Sequence, residues 1–331
     1  MSGPRHRTAV TRLCATIVVM AAGVGVPAGA ADTWPVKPLR FIVPQAPGAQ
    51  NDVQARLIAP RLAERLRQPV VVDNRPGAGG ALGFEIAAQA PNDGYTLVLG
   101  SISTLAVIPM MPAKPRYDGL RDFQPVTLIS TSPYVLVVHP TLPARSVAEF
   151  VALAKSPRAP LAYASSGNAT GVHLTTELFS LTAGIRLLHV PYKGAAPATV
   201  DLLAGQVPAM FNNVIPAAPH VKSGRLRALA VTSVQRSPAF PDAPTIAESG
   251  YPGFESGSWQ GIVTRAGATA TVVTRLHGDI VGILQTPEVR DPIVAQGNTV
   301  VADRPPEFAA FIRSERVKWE TVIKAAGVTG E

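Results

Sequence analysis

The stretch LRFIVPQAPGAQND, residues Leu39–Asp52, decides the fold class. Its apolar run, Leu39–Val43, ends at Pro44, and a loop with Pro47 and Gly48 follows before helix-like sequence begins. A strand, a tight loop and a helix start in this order leave backbone N–H groups unpaired beside a partial positive charge. Such a turn is an anion site. The stretch therefore predicts an α/β protein that captures a small anion.

The same alternation of strand and helix continues along the chain. The predicted strands are Leu39–Val43, Val70–Val72, Thr96–Leu99, Tyr134–His139, Leu161–Ala164, Leu187–Val190, Ala209–Phe211 and Leu226–Thr232. The predicted helices are Val53–Leu66, Ala81–Gln89, Val147–Lys155, His173–Thr182, Ala195–Leu203, Ala217–Ser223, Ala270–Leu284, Pro287–Gln296 and Pro306–Ala326, so the C-terminal third is mostly helical. The strands are continuously apolar, which is typical of a parallel sheet covered on both faces.

The apolar runs Tyr134–His139 and Leu226–Thr232 flank a self-contained series of βα units. We interpret them as two crossover strands that lead into and out of an inserted domain. A chain of this length exceeds what one core usually supports. We predict a discontinuous domain 1 of residues 32–133 plus 235–331, an inserted domain 2 of residues 134–234, and a ligand cleft between them.

Residues 1–31 have the pattern of a cleavable signal peptide. A basic start precedes the apolar segment Leu13–Val26, and Ala28-Gly29-Ala30 fits a small-residue cleavage site. The apolar segment is short for a membrane span, although an uncleaved anchor is the alternative. The single cysteine, Cys14, lies in this leader, so we expect neither disulfides nor thiolate–metal chemistry in the mature protein. We predict that the protein is exported with a cleavable signal peptide.

The net charge is +8 at pH 7. Three arginines and no acid lie in the leader, which leaves +5 for residues 32–331. This excess is spread thinly, without a run of five basic residues, and therefore does not indicate nucleic-acid binding. A mild excess can raise the local concentration of an anionic ligand, but ordinary surface charge explains it equally well.

Signatures of catalysis are missing from the sequence. It contains no G-x-S-x-G motif, and its histidines are widely spaced without a metal pair such as H-E-x-x-H. The loop NRPGAGGALG is not a dinucleotide fingerprint, because Leu82 stands at the third glycine position and Gly83 comes one residue late. We interpret this loop as a tight turn that packs close to the neighbouring domain, and we predict no catalytic residue, no cofactor and no metal.

Polar residues follow several predicted strands, at the edge where ligands bind in open α/β sheets. The segment YASSGNATGVH, Tyr163–His173, has more hydroxyls and amides than one helix cap needs, which favours ligand contact over capping alone. The segment VPYKG, Val190–Gly194, again precedes a helix. Its Lys193 is either a solvated surface charge or part of a phenol–ammonium pair with Tyr192 that faces the cleft. Asn212-Asn213 offers amide donors at a further strand end.

These segments resemble the Bug family of periplasmic solute-binding receptors, which are associated with tripartite tricarboxylate transporters. The resemblance covers nearly all of the chain after the leader. It rests on WPVKPLRFIVPQAPGAQND, QPVVVDNRPGAGGALG, APNDGYTLVLG, VLVVHPTLPARS, LAYASSGNATGVHLTTELF, HVPYKGAAPATVDLLAGQVPAMFNN, GRLRALAVTS, FPDAPTIAESGYPGFESGSWQG and PPEFAAFIRSERVKWETVIKAAG. It implies a type II-like periplasmic-binding-protein clamshell that closes on one small carboxylate. It also implies ligand contacts from backbone amides, hydroxyls and waters, without a bound metal, and membrane permease subunits as partners. We expect a monomer that does not bind nucleic acid.

The candidate ligand-binding residues are Gln45, Ala46, Gly48, Asp52, Ser101, Ser165, Ser166, Gly167, His173, Tyr192, Lys193, Gly194 and Asn212. The chain departs from the family at three positions. Gln45 stands where Phe is common, Ala49 where Gly is common, and Asn212 where Asp is common. An amide in place of an aromatic ring favours a more polar ligand, and the loss of a carboxylate at Asn212 disfavours a ligand ammonium group. We therefore predict capture of a di- or polycarboxylate that lacks an amine.

Two other classes of function remain as alternatives. A periplasmic ligand sensor for a two-component system would have the same fold and the same site. An exported enzyme acting on a small carboxylate would use Ser166, Lys193 or Asp52 as its reactive group, but it would need positioned acid–base partners that the sequence does not reveal.

Overall fold

A computed structural model describes residues 1–3, 34–111, 115–156 and 160–328. The chain divides into two compact units, Met1–Trp34 and Pro35–Glu331, and the second contains all the helices and strands given below. Most of the predicted signal peptide, including its cleavage site, lies outside the described residues. Within the described part, no helix is both long enough and apolar enough to cross a membrane.

Strands and helices alternate over most of the chain. The strands are β1 (Leu39–Val43), β2 (Val70–Asn74), β3 (Thr96–Ser101), β4 (Phe123–Val138), β5 (Ala162–Ser165), β6 (Leu188–Pro191), β7 (Ala209–Asn213), β8 (Arg227–Val231), β9 (Gly257–Arg265) and β10 (Thr299–Val300). The α-helices are α1 (Gln50–Leu66), α2 (Ala81–Ala88), α3 (Val147–Ala154), α4 (Gly171–Ala183), α5 (Ala195–Leu203), α6 (Val214–Lys222), α7 (Ala270–Leu284), α8 (Pro287–Ala295) and α9 (Pro305–Ala326).

The strands form two sheet regions that share β4. In the first region the order is β2-β1-β3-β9-β4, with β10 also paired to β4. Strand β1 is parallel to β2 and β3, whereas β9 is antiparallel to β3 and β4. In the second region β4 is followed by β7, β5 and β6, and β8 also pairs with β4. We call the parts of the protein built on these regions the first lobe and the second lobe.

Strand β4 passes from one lobe into the other. Its residues Phe123–Pro133 pair with β9, and its residues Tyr134–Val138 pair with β7 and β8. The chain returns to the first lobe between β8 and β9. Each lobe has its own buried core, which contains Phe84, Phe308 and Trp319 in the first lobe and Phe150, Phe179 and Phe211 in the second. The α/β class is as predicted, while the domain limits at residues 134 and 234 stay predictions.

The sequence prediction missed the short strand β10 and two longer strand segments. Strand β9 interrupts the C-terminal third, which was predicted to be mostly helical, and β4 begins eleven residues before the predicted Tyr134. Both segments combine buried polar residues or glycines with apolar ones, so the local pattern does not indicate a strand. Their pairing with each other is the most extensive antiparallel ladder in the described part of the fold.

Gly261 of β9 lies against the ring of Phe308, and a Cβ atom at this position would overlap that ring. We expect Gly261→Ala to lower the free energy of unfolding by about 2 kcal/mol, because extra atoms in a packed core cost about 1–3 kcal/mol. Gly278 of α7 is the matched control, since nothing lies within 4 Å of its Cβ position. Gly278→Ala should be neutral or stabilising by up to ~1 kcal/mol, because alanine favours helix. Urea unfolding measures both variants, and equal effects would contradict the close packing at Gly261.

Candidate functional site

The predicted site residues lie at the carboxyl ends of the parallel strands, either on the last strand residues, on the loops that follow, or in the first turns of the next helices. The loops follow β1, β3, β5, β6 and β7. Helices α1, α4, α5 and α6 begin directly after four of these loops, at Gln50, Gly171, Ala195 and Val214. The first turn of each helix leaves backbone N–H groups without intrahelical partners, and the helix dipole adds partial positive charge there. The local geometry therefore favours a small anion at this edge.

Asp52 anchors the loop between β1 and α1. Its buried carboxylate accepts hydrogen bonds from the Gly48 amide at 2.8 Å, the Arg56 Nε at 2.9 Å and the Asn74 Nδ2 at 2.9 Å. Burial alone would raise the pKa of Asp52, but these hydrogen bonds outweigh it and hold the pKa below its usual value. The carboxylate oxygens are thus occupied within the protein. Asp52 shapes the loop, and its side chain has no free oxygen to offer a ligand.

Gln45 lies over the start of α1. Its Oε1 accepts from the Asn51 amide at 3.4 Å, and its backbone carbonyl accepts from the Asn74 side chain at 3.0 Å. Ala46 is exposed and accepts from the Ala49 amide at 3.2 Å, which closes the turn before the helix. Gln45, which was predicted to make the site more polar, therefore also caps the N-terminus of α1.

Ser101 ends β3 and begins the next helical turn. Its amide donates to the Thr104 hydroxyl at 3.0 Å, and the two hydroxyls lie 3.5 Å apart. The glycine-rich turn packs against this region, because a Cβ atom on Gly80 would crowd both Thr104 and Pro44. The glycines of the turn thus pack within the first lobe, beside the β1–α1 loop, and the predicted packing against the neighbouring domain stays a prediction.

In the second lobe, Ser165 holds the turn that follows β5. Its buried Oγ accepts from the Gly167 amide at 3.1 Å and lies 2.6 Å from the His189 Nε2. Its backbone carbonyl accepts from the Tyr192 amide at 3.1 Å, which joins this turn to the loop after β6. Ser166 is half-buried beside these groups. Ser165 is therefore a structural hydroxyl, and Ser166 is the more accessible of the pair.

His173 bonds to the same turn from below. Its Nδ1 accepts from the Ala169 amide at 3.0 Å, and its ring stacks on His189 with centroids 3.9 Å apart. Burial lowers the pKa of each histidine to about 4, and the His173 pKa is lowered further by the nearby His189. Both rings are neutral near pH 7 and can accept hydrogen bonds. His173 was predicted as a ligand contact, but its buried ring holds the loop itself.

The loop after β6 presents Tyr192, Lys193 and Gly194. The Tyr192 hydroxyl donates to Asp201 at 2.7 Å, so the proton of this phenol is bound by an acidic partner. Burial and Asp201 raise the Tyr192 pKa to about 12, which keeps the phenol protonated. Lys193 is exposed. Gly194, with φ of 117°, precedes the first residue of α5 in a conformation that suits glycine.

Asn212 is buried at the end of β7. Its Nδ2 donates to the Thr199 hydroxyl at 3.1 Å, and its Oδ1 accepts from the Asn213 amide at 2.8 Å. An aspartate here would keep the second of these bonds, and its charge would be added next to the start of α6. The amide therefore leaves this corner of the site neutral.

Contacts across the lobes bring part of the predicted set together. A Cβ atom on Gly171 would collide with the Tyr134 hydroxyl and lie 3.8 Å from the Ile102 side chain, while Ala169 packs on the core of the first lobe. The residue after Ser101 at the end of β3 therefore lies beside the first residue of α4, and the turn before α4 packs on the first lobe through Ala169. Within the described residues, no hydrogen bond links the loop Gln45–Asp52 to Lys193 or Asn212.

His189 is a site residue that the sequence prediction missed. It lies on β6, opposite Tyr163 of β5, and the register of these two strands alone brings it to Ser165. Its sequence context, LLHVP, reads as an ordinary strand. The sequence does show that β5 and β6 alternate with helices, which indicates that they pair as parallel strands. That pairing is the signal from which the contact of His189 with the β5 end could have been predicted.

Cavities occur elsewhere in the described part. One of about 930 Å³ lies on the second lobe, around Phe240 and Arg227, and another of about 710 Å³ lies beside the passage of β4 between the lobes, near Arg236 and Lys318. Neither is lined by any of the thirteen predicted residues. Among the described residues, no three His, Cys, Asp or Glu side chains gather as a metal-ligand set.

The bilobal fold, with its polar strand-end loops, defines the class of periplasmic solute-binding proteins. The family model described as tripartite tricarboxylate transporter family receptor matches residues 54–328, and the chain belongs to this family. It is 40% identical over 321 residues to Protein BugT of Bordetella pertussis, covering 96% of this chain and 98% of BugT. The recognised Bug resemblance is confirmed. The family is one of solute-binding receptors rather than enzymes.

Solved structures support the same fold. The periplasmic binding protein BugD is 32% identical, with a TM-score of 0.73 over 89% of this chain and 99% of BugD. The R. palustris protein Rpa4515, solved with adipate, is 34% identical with a TM-score of 0.75 over 89% of this chain and 99% of its own. MatC from Rhodopseudomonas palustris, solved with bound malate, is 30% identical with a TM-score of 0.73 over 87% of this chain and 99% of its own.

Proposed function

We propose that this chain is a periplasmic receptor that captures a small carboxylate between its two lobes and presents it to the membrane permease of a tripartite tricarboxylate-type transporter. The observation that carries the proposal is the position of the helix starts. Helices α1, α4, α5 and α6 all begin on loops at the carboxyl ends of the strands, beside neutral donors. The adipate and malate of two related structures support the ligand class.

Charge at the site favours an anion. The carboxylate of Asp52 is held by Arg56 and two neutral donors, the Tyr192 phenol is protonated, and Lys193 is an exposed cation with no acid among these residues as its partner. A ligand carboxylate thus meets donors without meeting an unpaired acid of these residues. Each helix start contributes about 0.3–1 kcal/mol when exposed and up to ~2 kcal/mol when partly buried. Each charge-assisted hydrogen bond adds about 1.5–3 kcal/mol.

Neutral amides at two positions support a ligand with more than one carboxylate and no amine. Gln45 places a polar amide at the start of α1, and the buried Asn212 leaves the start of α6 without a negative charge. An ammonium group would need an anionic partner, and the Asn212 position lacks the aspartate that is common in the family. A second carboxylate can accept from amide N–H groups there without charge repulsion.

Ligand capture would proceed by closure about β4. This strand belongs to both lobes, so a change in its twist near Pro133 rotates one lobe against the other. A ligand that contacts the β1–α1 loop on one lobe and Ser166 on the other stabilises the closed state only. Binding therefore shifts the open–closed equilibrium, and a permease can recognise the closed form.

A thermal-shift screen tests this function. The chain from residue 32 is unfolded, refolded to remove co-purified ligand, and heated with mono-, di- and tricarboxylates, amino acids and aromatic acids. We expect a concentration-dependent rise in melting temperature with di- or tricarboxylates, because a ligand that binds the native state alone stabilises it. Stabilisation by amino acids and not by plain dicarboxylates would contradict the ligand class, and no response to any acid would count against the receptor itself.

Asn212→Asp tests the charge argument directly. We expect about tenfold weaker binding of the dicarboxylate, since a new negative charge near the ligand costs on the order of 1–2 kcal/mol. Titration calorimetry at low and high salt measures the change, and salt should reduce it. Asn92→Asp makes the same chemical change at an exposed position and should leave binding unaltered. An unchanged affinity in Asn212→Asp would remove this residue from the site.

A further inference from the structure

Three rings stack beneath the turn that carries Ser165 and Ala169. Tyr163 of β5 lies on His189 of β6 with centroids 4.9 Å apart, and His189 lies on His173 of α4 with centroids 3.9 Å apart. Each imidazole bonds the turn above it. His189 Nε2 lies 2.6 Å from the Ser165 hydroxyl, and His173 Nδ1 accepts the Ala169 amide at 3.0 Å. The stack is thus a support for the candidate ligand loop, Ser165–Thr170.

Ala169 makes this support necessary. Its φ of 56° is in the left-handed region, which is unfavourable for a residue with a Cβ atom. The hydrogen bond from its amide to His173 holds it there, and its side chain packs on the core of the first lobe. Loss of that bond would let the turn relax away from both the strand ends and the other lobe.

We propose that His173 and His189 are positioning residues of the ligand loop: as neutral rings they hold it in its binding conformation, and proton uptake releases it, so that acid weakens ligand capture. This proposal rests on the proposed function of the loop as a ligand site. No contact between either ring and the ligand is involved. The physical basis is that a protonated His173 has a donor at Nδ1, which would face the Ala169 N–H, and two donors cannot bond each other.

The groups around the stack define how it responds to acid. Glu177, one turn along α4, has an oxygen 4.0 Å from His173 Nε2, and the Tyr163 hydroxyl donates to the same carboxyl at 2.5 Å. Burial raises the pKa of Glu177. A protonated His173 would be attracted toward Glu177 and away from the Ala169 amide. Tyr163, whose pKa burial also raises, stays protonated throughout.

The direction of the pH dependence follows from the two histidines. Burial holds the pKa of each near 4 in the folded protein, compared with 6.5 for the free side chain. Because the folded histidines bind protons less readily than free ones, they favour the intact loop fully above about pH 6.5. Their stabilisation of the loop is lost as the pH falls toward 4. Affinity and loop protection should therefore decline together over this window.

The experiment uses hydrogen exchange of the peptide that covers the loop, in the ligand-free mature chain, between pH 7 and 4.5. After correction for intrinsic exchange rates, we expect the loop of the unmodified protein to lose at least tenfold protection across this range. In H173N, the Oδ1 atom takes the place of Nδ1 and cannot be protonated, and H189Q likewise keeps a group beside Ser165. The double variant H173N/H189Q should keep its protection within twofold over the same range.

Matched variants separate positioning from general stability. H173L removes the acceptor and should expose the loop at every pH, whereas H220N changes a histidine outside the stack and should follow the unmodified profile. If the double variant is as acid-sensitive as the unmodified chain, or if the unmodified chain shows no acid response, the proposal is wrong. If circular dichroism shows that the double variant is misfolded, NMR titration of the unmodified chain takes its place. A pKa near 6.5 for His173 or His189 overturns the proposal, and pKa values below 5 for both support it.

Binding of malate and adipate is measured over the same pH range with the same variants. Protonation of the acid weakens binding equally in all of them, so the difference between variants reports the histidines. We expect the affinity of the unmodified protein to fall at least tenfold more than that of the double variant. If neither acid binds at pH 7, the receptor proposal is in question, while the loop result from hydrogen exchange stands by itself.

Discussion

Asp52→Ala is expected to weaken carboxylate binding by about a hundredfold while the chain still folds. The side chain accepts from Gly48, Arg56 and Asn74, and these three contacts fix the loop between β1 and α1. Hydrogen bonds to a charged group contribute about 1.5–3 kcal/mol each, and the exposure of Arg56 reduces its share. A net loss of about 3 kcal/mol in loop order corresponds to roughly a hundredfold in affinity. Titration calorimetry with the acid found in the thermal screen measures it.

The matched control is Asp118→Ala. Asp118 holds a different loop, away from the strand ends, through the amides of Leu120 and Arg121 and the guanidinium of Arg316, and these bonds lower its pKa to about 2. Its removal should cost similar stability in urea unfolding and leave affinity unchanged. If both variants lose affinity in parallel, Asp52 acts only through stability. If Asp52→Ala binds normally, the β1–α1 loop is not part of the site.

The sequence predicted elements well where local pattern and position in the sheet agree. Strand β1, Leu39–Val43, and helix α5, Ala195–Leu203, have the predicted limits. Both consist of strongly patterned residues bounded by Pro or Gly. Helix α1 begins at Gln50 rather than at the predicted Val53. Its polar first turn is stabilised by two side-chain hydrogen bonds, because Gln45 accepts from the Asn51 amide and Asp52 accepts from the Gly48 amide. Gln45 lies six residues before Asn51, and the known spacing of helix caps does not predict a hydrogen bond over this separation.

The part of β4 that pairs with β9 could not be predicted from local pattern. Gln54 donates to the Ser130 hydroxyl, which donates to the Gln260 Oε1, so a chain of two hydrogen bonds links three buried polar side chains across α1, β4 and β9. Ser130 and Gln260 are 130 residues apart in the chain. In the sequence alone, Ser130 and Gln260 have the character of solvent-facing residues, and each interrupts the apolar pattern of its strand. Only the antiparallel pairing of β4 with β9 makes their burial favourable.

The candidate site shows the same division between local and tertiary information. The sequence indicates which loops carry polar residues, since strand ends and helix starts are local features. It does not indicate which polar groups are already used within the protein. Ser165 and His173 resemble ligand contacts in the sequence, yet both have protein partners in the folded chain. The β5–β6 register brings His189 to Ser165, and His173 accepts a hydrogen bond from the Ala169 amide. The residues that stay accessible, such as Ser166 and Lys193, differ from their neighbours only after folding.

Glu315→Ala is expected to lower the free energy of unfolding by about 3–5 kcal/mol. The buried carboxylate of Glu315 accepts from the indole N–H of Trp259 at 2.8 Å and of Trp319 at 2.9 Å, and it forms an ion pair with Lys318. Its removal leaves two buried donors and a partly buried cation unpaired, which is the costly way to break such a network. For a chain of this size the melting temperature should fall by about 10 °C.

The position of this network explains why its loss should reach the ligand site. Helix α9 carries Glu315 and packs on Trp259, while Leu174 of α4, from the second lobe, is buried in the same core cluster. Helix α4, which begins at the candidate ligand loop, therefore packs against α9, and Glu315 holds α9 in place. Glu315→Ala should loosen α4 as well, and we expect carboxylate affinity to fall about tenfold at a temperature where the variant is fully folded.

Two further variants on α9 isolate the buried network. Glu320→Ala removes an exposed partner of Lys324 and should cost less than about 1 kcal/mol, as is usual for surface pairs. Glu315→Gln keeps an acceptor for the indoles and loses only the charge for Lys318, so it should lie between the two. Tryptophan emission provides an independent readout, because Trp259 and Trp319 are two of the three tryptophans in the chain. A red shift in Glu315→Ala alone is expected, and equal stability of Glu315→Ala and Glu320→Ala would refute the role of the network.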